Sequence, residues 1–246
     1  MLTLRNPHSV LAALRTRPKD VQEVRAFSDS NTAWADVVKL AKENKVRVTQ
    51  PTQPTPSKGS KGQDAGKDGR VGGSEALVKE RTGLSLEELF ANAERKAGGK
   101  GLWLALDSLQ DPHNVGAIFR TAAFFGVQGI LLTQERSAPI TGTTYDVASG
   151  GMEYVPFAMQ INLVRGMESA KQMGLWTLGT SEHAPESLDT VKRDRAWLLI
   201  LGNEEQGIRR LTEENCDMLC KIPAQGEVGS LNVSVAAGIF MSHLSR

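Results

Sequence analysis

From residue 102 onward the chain alternates short apolar runs with longer segments of helical period. Residues 102–106 (Leu-Trp-Leu-Ala-Leu) and 196–201 are wholly apolar, as expected of parallel strands buried on both faces. Residues 129–133, 175–179 and 219–222 read as further strands, and 154–157 as a short one. Between them, apolar positions recur at helical spacing over 114–125, 162–173 and from Val233 to near Leu244. Strands alternating with helices predict an α/β domain with a mostly parallel sheet covered on both faces.

The first hundred residues are less regular. A helix over 8–14, a strand over 21–27, an amphipathic helix over 32–44 (Trp34, Val37, Val38, Leu40, Ala41) and a strand over 46–48 form a small α/β unit. At 49–74 the composition shifts to Gln, Pro, Thr, Lys, Gly, Asp and Ser with almost no apolar residue, which predicts a flexible low-complexity tract. Helical patterning resumes over 75–97 with Leu84, Leu86, Leu89, Phe90 and Ala93, and Ser85 before Glu87-Glu88 marks a helix start. The Gly-Gly-Lys-Gly of 98–101 then reads as the linker. The expected organisation is a small N-terminal domain at 1–97 and a second domain at 102–246.

The length of 246 residues suffices for a sizeable core, and the 40% hydrophobic and 23% charged content is that of a soluble protein. The absence of an apolar run of about 18 residues argues against a membrane span, and the first residues lack the apolar core of a signal peptide. Cys216 and Cys220 read as reduced thiols rather than a disulfide or a zinc site, so the expected location is the cytoplasm and no metal is expected. The net charge of +1 conceals an asymmetry: residues 1–100 carry +6 and residues 101–246 carry −5. A basic first half fits a polyanion-binding module, although lysines that merely solubilise the tract account for part of it.

In open α/β sheets, ligands bind outside the carboxyl ends of the strands. Three polar loops lie there. The first, Asp107 to Arg120, offers Asp111 as a helix cap with Pro112 at the first helical position, then Asn114, Gly116 and Arg120 on the opening turns. Arg120 is an always-protonated donor suited to a phosphate or an oxyanion. The second is Gly202-Asn203-Glu204-Glu205-Gln206-Gly207; it has phosphate-loop spacing, but Ile208-Arg209 stands where Lys-Ser/Thr is required, which excludes a P-loop nucleotidase. The third runs from Ile222-Pro223 through Gly226 and Gly229, with Ser230 or Asn232 as cap of the last helix. No Gly-x-Gly-x-x-Gly follows a strand, so a dinucleotide dehydrogenase is not expected.

Together the three loops resemble the three motifs of the SpoU/TrmH branch of the SPOUT class of RNA ribose 2′-O-methyltransferases. The residues that carry the resemblance are Asn114-Val115-Gly116 with Arg120, Leu201-Gly202-Asn203-Glu204 with Gly207, and Ile222-Pro223 with Ser230-Leu231-Asn232-Val233-Ser234. The N-terminal unit resembles the small L30e-like substrate-binding domain of part of that family, apart from the tract at 49–74. The resemblance implies a C-terminal trefoil knot, bound S-adenosylmethionine and a homodimer. It assigns Arg120, Asn114, Glu204, Ser230 and Asn232 to catalysis, and Thr177, Gly179, Leu201, Gly202, Ile222, Pro223 and Leu231 to the cofactor. The implied substrate is the ribose 2′-hydroxyl of an RNA, with rRNA slightly favoured over tRNA. The alternative is an RNA-binding protein of the same fold without catalysis.

Overall fold

The computed structural model describes residues 1–27, 32–51, 73–91, 93, 100–203 and 205–245. Most of the low-complexity tract lies outside them. The chain divides into two compact units, Met1–Glu80 and Arg81–Arg246.

The first unit is a four-stranded mixed sheet in the order β1-β4-β2-β3, with two helices. It comprises β1 (Leu2–Leu4), α1 (Pro7–Thr16), β2 (Val21–Arg25), α2 (Thr32–Glu43), β3 (Arg47–Thr49) and β4 (Glu75–Val78). Asn6 starts α1: its Oδ1 accepts the His8 N–H at 2.9 Å, and Pro7 supplies a helical φ at the first position. Val10, Leu14, Val24, Val37, Ala41 and Val78 make the core of this unit. The helical reading of 75–97 is corrected at its start, while residues 92 and 94–97 lie outside the described residues. Glu75–Val78 is a strand, antiparallel to both β1 and β2. Among the described residues the helix is α3 (Leu86–Phe90), opened by Ser85, whose Oγ accepts the Glu88 N–H at 3.2 Å while Glu88 accepts the Ser85 N–H at 2.9 Å.

That helix belongs to the second unit, so the division falls after Glu80 rather than at the 98–101 linker. Leu86, Leu89, Phe90 and Ala93 share one core with Trp103, Leu131, Leu163, Met167, Leu198 and Ile200. Burying Leu89 and Phe90 there contributes up to about 1.5–3 kcal/mol apiece.

The second unit continues with β5 (Leu102–Leu106), α4 (Pro112–Phe125), β6 (Gly129–Thr133), α5 (Gly142–Ala148), α6 (Gly151–Tyr154), β7 (Phe157–Gln160) and α7 (Leu163–Gln172). Then come β8 (Trp176–Thr180), β9 (Glu186–Ser187), β10 (Trp197–Leu201), α8 (Arg210–Glu214), β11 (Met218–Lys221) and α9 (Val233–Leu244). Its seven strands stand in the order β7-β6-β5-β10-β8-β11-β9, and every adjacent pair is parallel. Residues 154–157 are not a strand: Tyr154 ends α6 and β7 begins at Phe157.

Trp103, Leu131 and Leu198 point to the face shared with α3 and α7. The opposite face carries α4, whose Phe119 meets Phe157 of β7 edge to face at 6.0 Å, with α5, α6 and α9 packed on α4. The α/β, mostly parallel architecture expected from the apolar runs is the one observed.

Sheet order then fixes where a ligand site belongs. From β5 the chain turns outward to β6 and β7; β10, its other neighbour, leads the opposite way to β11. The loops after β5 and β10 therefore flank the reversal point of the sheet, where open α/β domains bind ligands.

Candidate functional site

The first loop enters α4 through Asp111, whose Oδ1 accepts the His113 N–H at 2.8 Å. Asn114 follows on the first turn, nine-tenths buried. Gly116 lets α4 lie against α5: a Cβ there would stand 2.7 Å from the Thr144 carbonyl oxygen and 2.8 Å from Val147 Cβ. Arg120, about one turn beyond Gly116, is exposed and makes no hydrogen bond or ion pair among the described residues. The five donors of a guanidinium suit a phosphate or an oxyanion.

Asn232 supplies the link to the third loop. Its Oδ1 accepts from the Ser234 N–H at 2.9 Å and the Ser234 hydroxyl at 2.6 Å, which starts α9. Its Nδ2 donates to Asn114 Oδ1 at 3.1 Å, across 118 positions of sequence. One side chain thus caps the last helix and joins the first motif to the third. Ser234, absent from the residues expected at the site, takes part through both its N–H and its hydroxyl.

The rest of the third loop, residues 223–231, is exposed throughout, including Pro223, Ser230 and Leu231, whereas Ile222 is half-buried. Among the described residues, no backbone group of 224–231 hydrogen-bonds to another. Leu231 and Val228 expose 50% and 76% of their surface, which leaves two apolar side chains beside a run of open N–H and C=O groups. Such a loop has both kinds of contact to offer a small polar-apolar ligand.

The second loop is folded tightly on itself. Asn203 and Gly207 exchange backbone hydrogen bonds at 3.0 and 2.8 Å, and Asn203 Oδ1 accepts the Glu205 and Gln206 N–H groups. Gly202 is required by this closure, since a Cβ there would lie 2.1 Å from the Gly207 carbonyl carbon. Leu201 ends β10 within the core, and its carbonyl accepts the Asp107 N–H at 2.9 Å. Glu204 lies outside the described residues.

Two further residues expected at the cofactor, Thr177 and Gly179, lie within β8. Thr177 is at the amino-terminal end of β8, fully buried, opposite the loops. Its hydroxyl and its N–H both donate to Asp217 Oδ2, at 2.9 and 2.8 Å, which fastens β8 to the start of β11. Gly179 is nearer the carboxyl end, but it packs inward: a Cβ would meet Leu219 Cδ2 at 2.7 Å and Cys216 Sγ at 2.8 Å. Both positions hold the sheet together.

Titration properties exclude the thiols from chemistry. Burial pushes Cys216 up to about 12, with Lys171 opposing, and burial likewise pushes Cys220 to about 12. Neither is a nucleophile near neutral pH. Among the described residues, no group of three or more His, Cys, Asp or Glu side chains is placed to hold a metal ion, and no helix is long and apolar enough to cross a membrane.

Asp107, Ser108 and Arg209 went unnoticed in the sequence as site residues. Asp107 is fully buried after β5 and sits 2.7 Å from Arg209 Nε, while Ser108 accepts a hydrogen bond from Asn203. The only local sign is a carboxylate directly following a wholly apolar strand.

The SpoU rRNA methylase family model matches residues 101–242, which spans all three loops. The chain is 36% identical over 240 residues to the 23S rRNA (guanosine-2′-O-)-methyltransferase RlmB of Nitrosomonas europaea, covering 97% of this chain and 89% of that one. It is 32% identical over 238 residues to the putative TrmH family tRNA/rRNA methyltransferase YacO of Bacillus subtilis, covering 96% and 92%. Among solved structures, the SpoU methyltransferase AviRb of Streptomyces viridochromogenes in complex with AdoMet has the same fold, with a TM-score of 0.74 at 18% identity over 99% of this chain and 88% of that one. With the family model across its parallel sheet and full-length relatives above 30% identity, the chain belongs to the SpoU rRNA methylase family.

Proposed function

We propose that this protein transfers a methyl group from S-adenosylmethionine to a ribose 2′-hydroxyl of rRNA, working as a homodimer in the cytoplasm. The observation that carries the reading is the Asn232–Asn114 hydrogen bond, which brings the first and third motifs together beside an open Arg120. The rRNA substrate is supported by the printed activity of the relative from Nitrosomonas europaea.

The loops fit the methyl donor. Open backbone groups at 224–231 suit a purine edge and an amino-acid moiety, Leu231 and Val228 offer apolar cover, and carbonyl oxygens suit a sulfonium. Gly202, Leu201, Ile222, Pro223 and Leu231 line or support that region and are its proposed contacts. S-adenosylmethionine supplies an electrophilic methyl group; the chain must supply an oriented and activated hydroxyl.

Arg120 holds the phosphate next to the target ribose and stabilises the alkoxide as it forms. A guanidinium keeps its proton at any working pH, so the hydroxyl proton leaves to a phosphate oxygen or to water. Asn114 and Asn232 fix each other and orient substrate; Ser230, exposed on the loop, donates to it. Glu204 positions Arg120 or its loop. The N-terminal unit, with its basic sequence, gathers RNA.

The homodimer is supported by exposed apolar residues: Phe124 on α4 at 83%, Val235 and Ile239 on α9 at 51% and 39%. The trefoil knot is supported by strand order, because β10 and β11 enter the sheet beside strands formed earlier in the chain.

The test is cofactor binding by calorimetry and transfer of labelled methyl to rRNA that lacks modifications. Wild type binds and transfers. Arg120→Ala is expected to bind the cofactor unchanged and to lose about a hundredfold or more in rate. Binding without transfer in wild type would favour the catalytically inert RNA-binding protein.

A further inference from the structure

The reversal point of the sheet is bridged by contacts that none of the three motifs explains. Asp107 is fully buried, although a carboxylate out of water is costly unless paired. Its Oδ1 stands 2.7 Å from Arg209 Nε and accepts from Ser108 Oγ at 3.2 Å; its Oδ2 accepts the Arg209 backbone N–H at 3.2 Å. Ser108 adopts φ +62°, a left-handed conformation that non-glycine residues seldom take. Its N–H donates to Thr133 Oγ1 at 2.9 Å, and its carbonyl accepts from Asn203 Nδ2 at 3.1 Å.

The loop after β10 is therefore fastened at both ends to the loop after β5. Asn203 at its start is held through Ser108, and Arg209 at its end through Asp107. Stability alone accounts poorly for this arrangement. A buried ion pair gains little over apolar residues of the same volume, and a left-handed serine is unfavourable. Both devices do what a binding loop needs, which is to fix a backbone shape in advance of the ligand.

We propose that Asp107 is a positioning residue: acting through Arg209, its carboxylate sets the shape of the 202–208 loop that receives the methyl donor. The proposal rests on the reading of that loop as the donor's. Asp107 itself touches neither donor nor RNA, since it is covered by the loop it holds.

The experiment uses full-length Asp107→Asn, Arg209→Gln and the double variant. S-adenosylmethionine binding is titrated by calorimetry, and methyl transfer to rRNA is measured with each substrate varied in turn. In both single variants the Kd and KM for S-adenosylmethionine are expected to rise about tenfold or more, the loss of one charge-assisted contact. kcat and the KM for RNA should stay within about threefold, and the double variant should be no worse than the worse single, because the pair acts as a unit. Arg209→Lys, which keeps the charge and loses the Nε contact, should fall between.

Unchanged donor affinity in Asp107→Asn would overturn the proposal, as would a loss confined to kcat or to the unfolding midpoint. If Asp107→Asn does not fold, Arg209→Gln carries the test, because that side chain is 39% exposed. Failure of both to fold would make the pair purely structural and the proposal wrong. A wild-type protein that does not bind S-adenosylmethionine would instead refute the reading of the loop, a result distinct from tight wild-type binding with unaffected variants.

Discussion

Asn232 uses the two ends of one amide for separate purposes, and substitutions can separate them. Its oxygen caps α9 and its nitrogen donates to Asn114. Asn232→Ala should lose both and destabilise the fold by about 1 kcal/mol, the usual worth of a cap. Asn232→Asp keeps a capping oxygen but turns an acceptor toward Asn114. It should unfold within a few degrees of wild type and yet lose activity about tenfold or more. Equal activity in Asn232→Asp and wild type would show that the link between motifs is idle. A crowding change gives a second handle. Gly116→Ala brings a methyl group against the α5 backbone and should cost about 1–3 kcal/mol in urea unfolding.

Residues whose partners are near in sequence were legible from the chain alone. Ser85, Asp111 and Asn232 all cap the helices that their local patterns announced. The anchoring of Thr177 is not legible locally, because its partner, Asp217, lies forty residues away. The role of Asp107 is hidden for the same reason, its partner Arg209 being 102 positions distant.

Among the elements, the central strands were read almost to the residue, because 102–106 and 196–201 are apolar at every position and belong in the middle of a parallel sheet. The strand Glu75–Val78 carries a pattern that reads as helix. Its partners Leu2–Leu4 and Val21–Arg25 lie fifty residues or more back, and four residues are too few to display a period of two. The short helices α5 and α6 fell to the same limit of length.

At the amino-terminal end of the large sheet, Asp217 binds the Thr177 N–H and hydroxyl and pairs with Lys171 at 2.7 Å. Burial opposes its ionisation, but Lys171 and Thr177 outweigh that and hold its carboxyl below the ordinary value. A carboxyl with a depressed folded pKa stabilises fully above its unfolded value and ceases to do so as pH falls through the folded one. The contribution should therefore be intact at neutral pH and disappear from about pH 4 downward. Asp217→Asn should lower stability by about 1–2 kcal/mol at pH 7 and much less at pH 3, as followed by urea unfolding at both values.

At the scale of the molecule, Cys220 is buried in the second unit and Cys216 packs half-buried against its core. Alkylation at pH 8 should leave native Cys216 and Cys220 essentially unmodified and label both in denaturant; rapid native labelling would mean that the β8–β11 region opens. The sequence is basic before residue 101 and acidic after it, and on the proposed function the basic half attracts RNA. RNA affinity should accordingly fall steeply with salt while donor affinity hardly changes. The division after Glu80 was not legible, because α3 carries the same amphipathic pattern whichever unit it joins; only its core partners Trp103 and Leu131 decide.

The most direct measurement is transfer of labelled methyl from S-adenosylmethionine to unmodified rRNA, followed by complete nuclease digestion and nucleoside analysis. Label recovered in a 2′-O-methylnucleoside, and lost in Arg120→Ala, is the expected result. Label on a base, or none at all from wild type that binds the cofactor, would contradict ribose methylation by these loops.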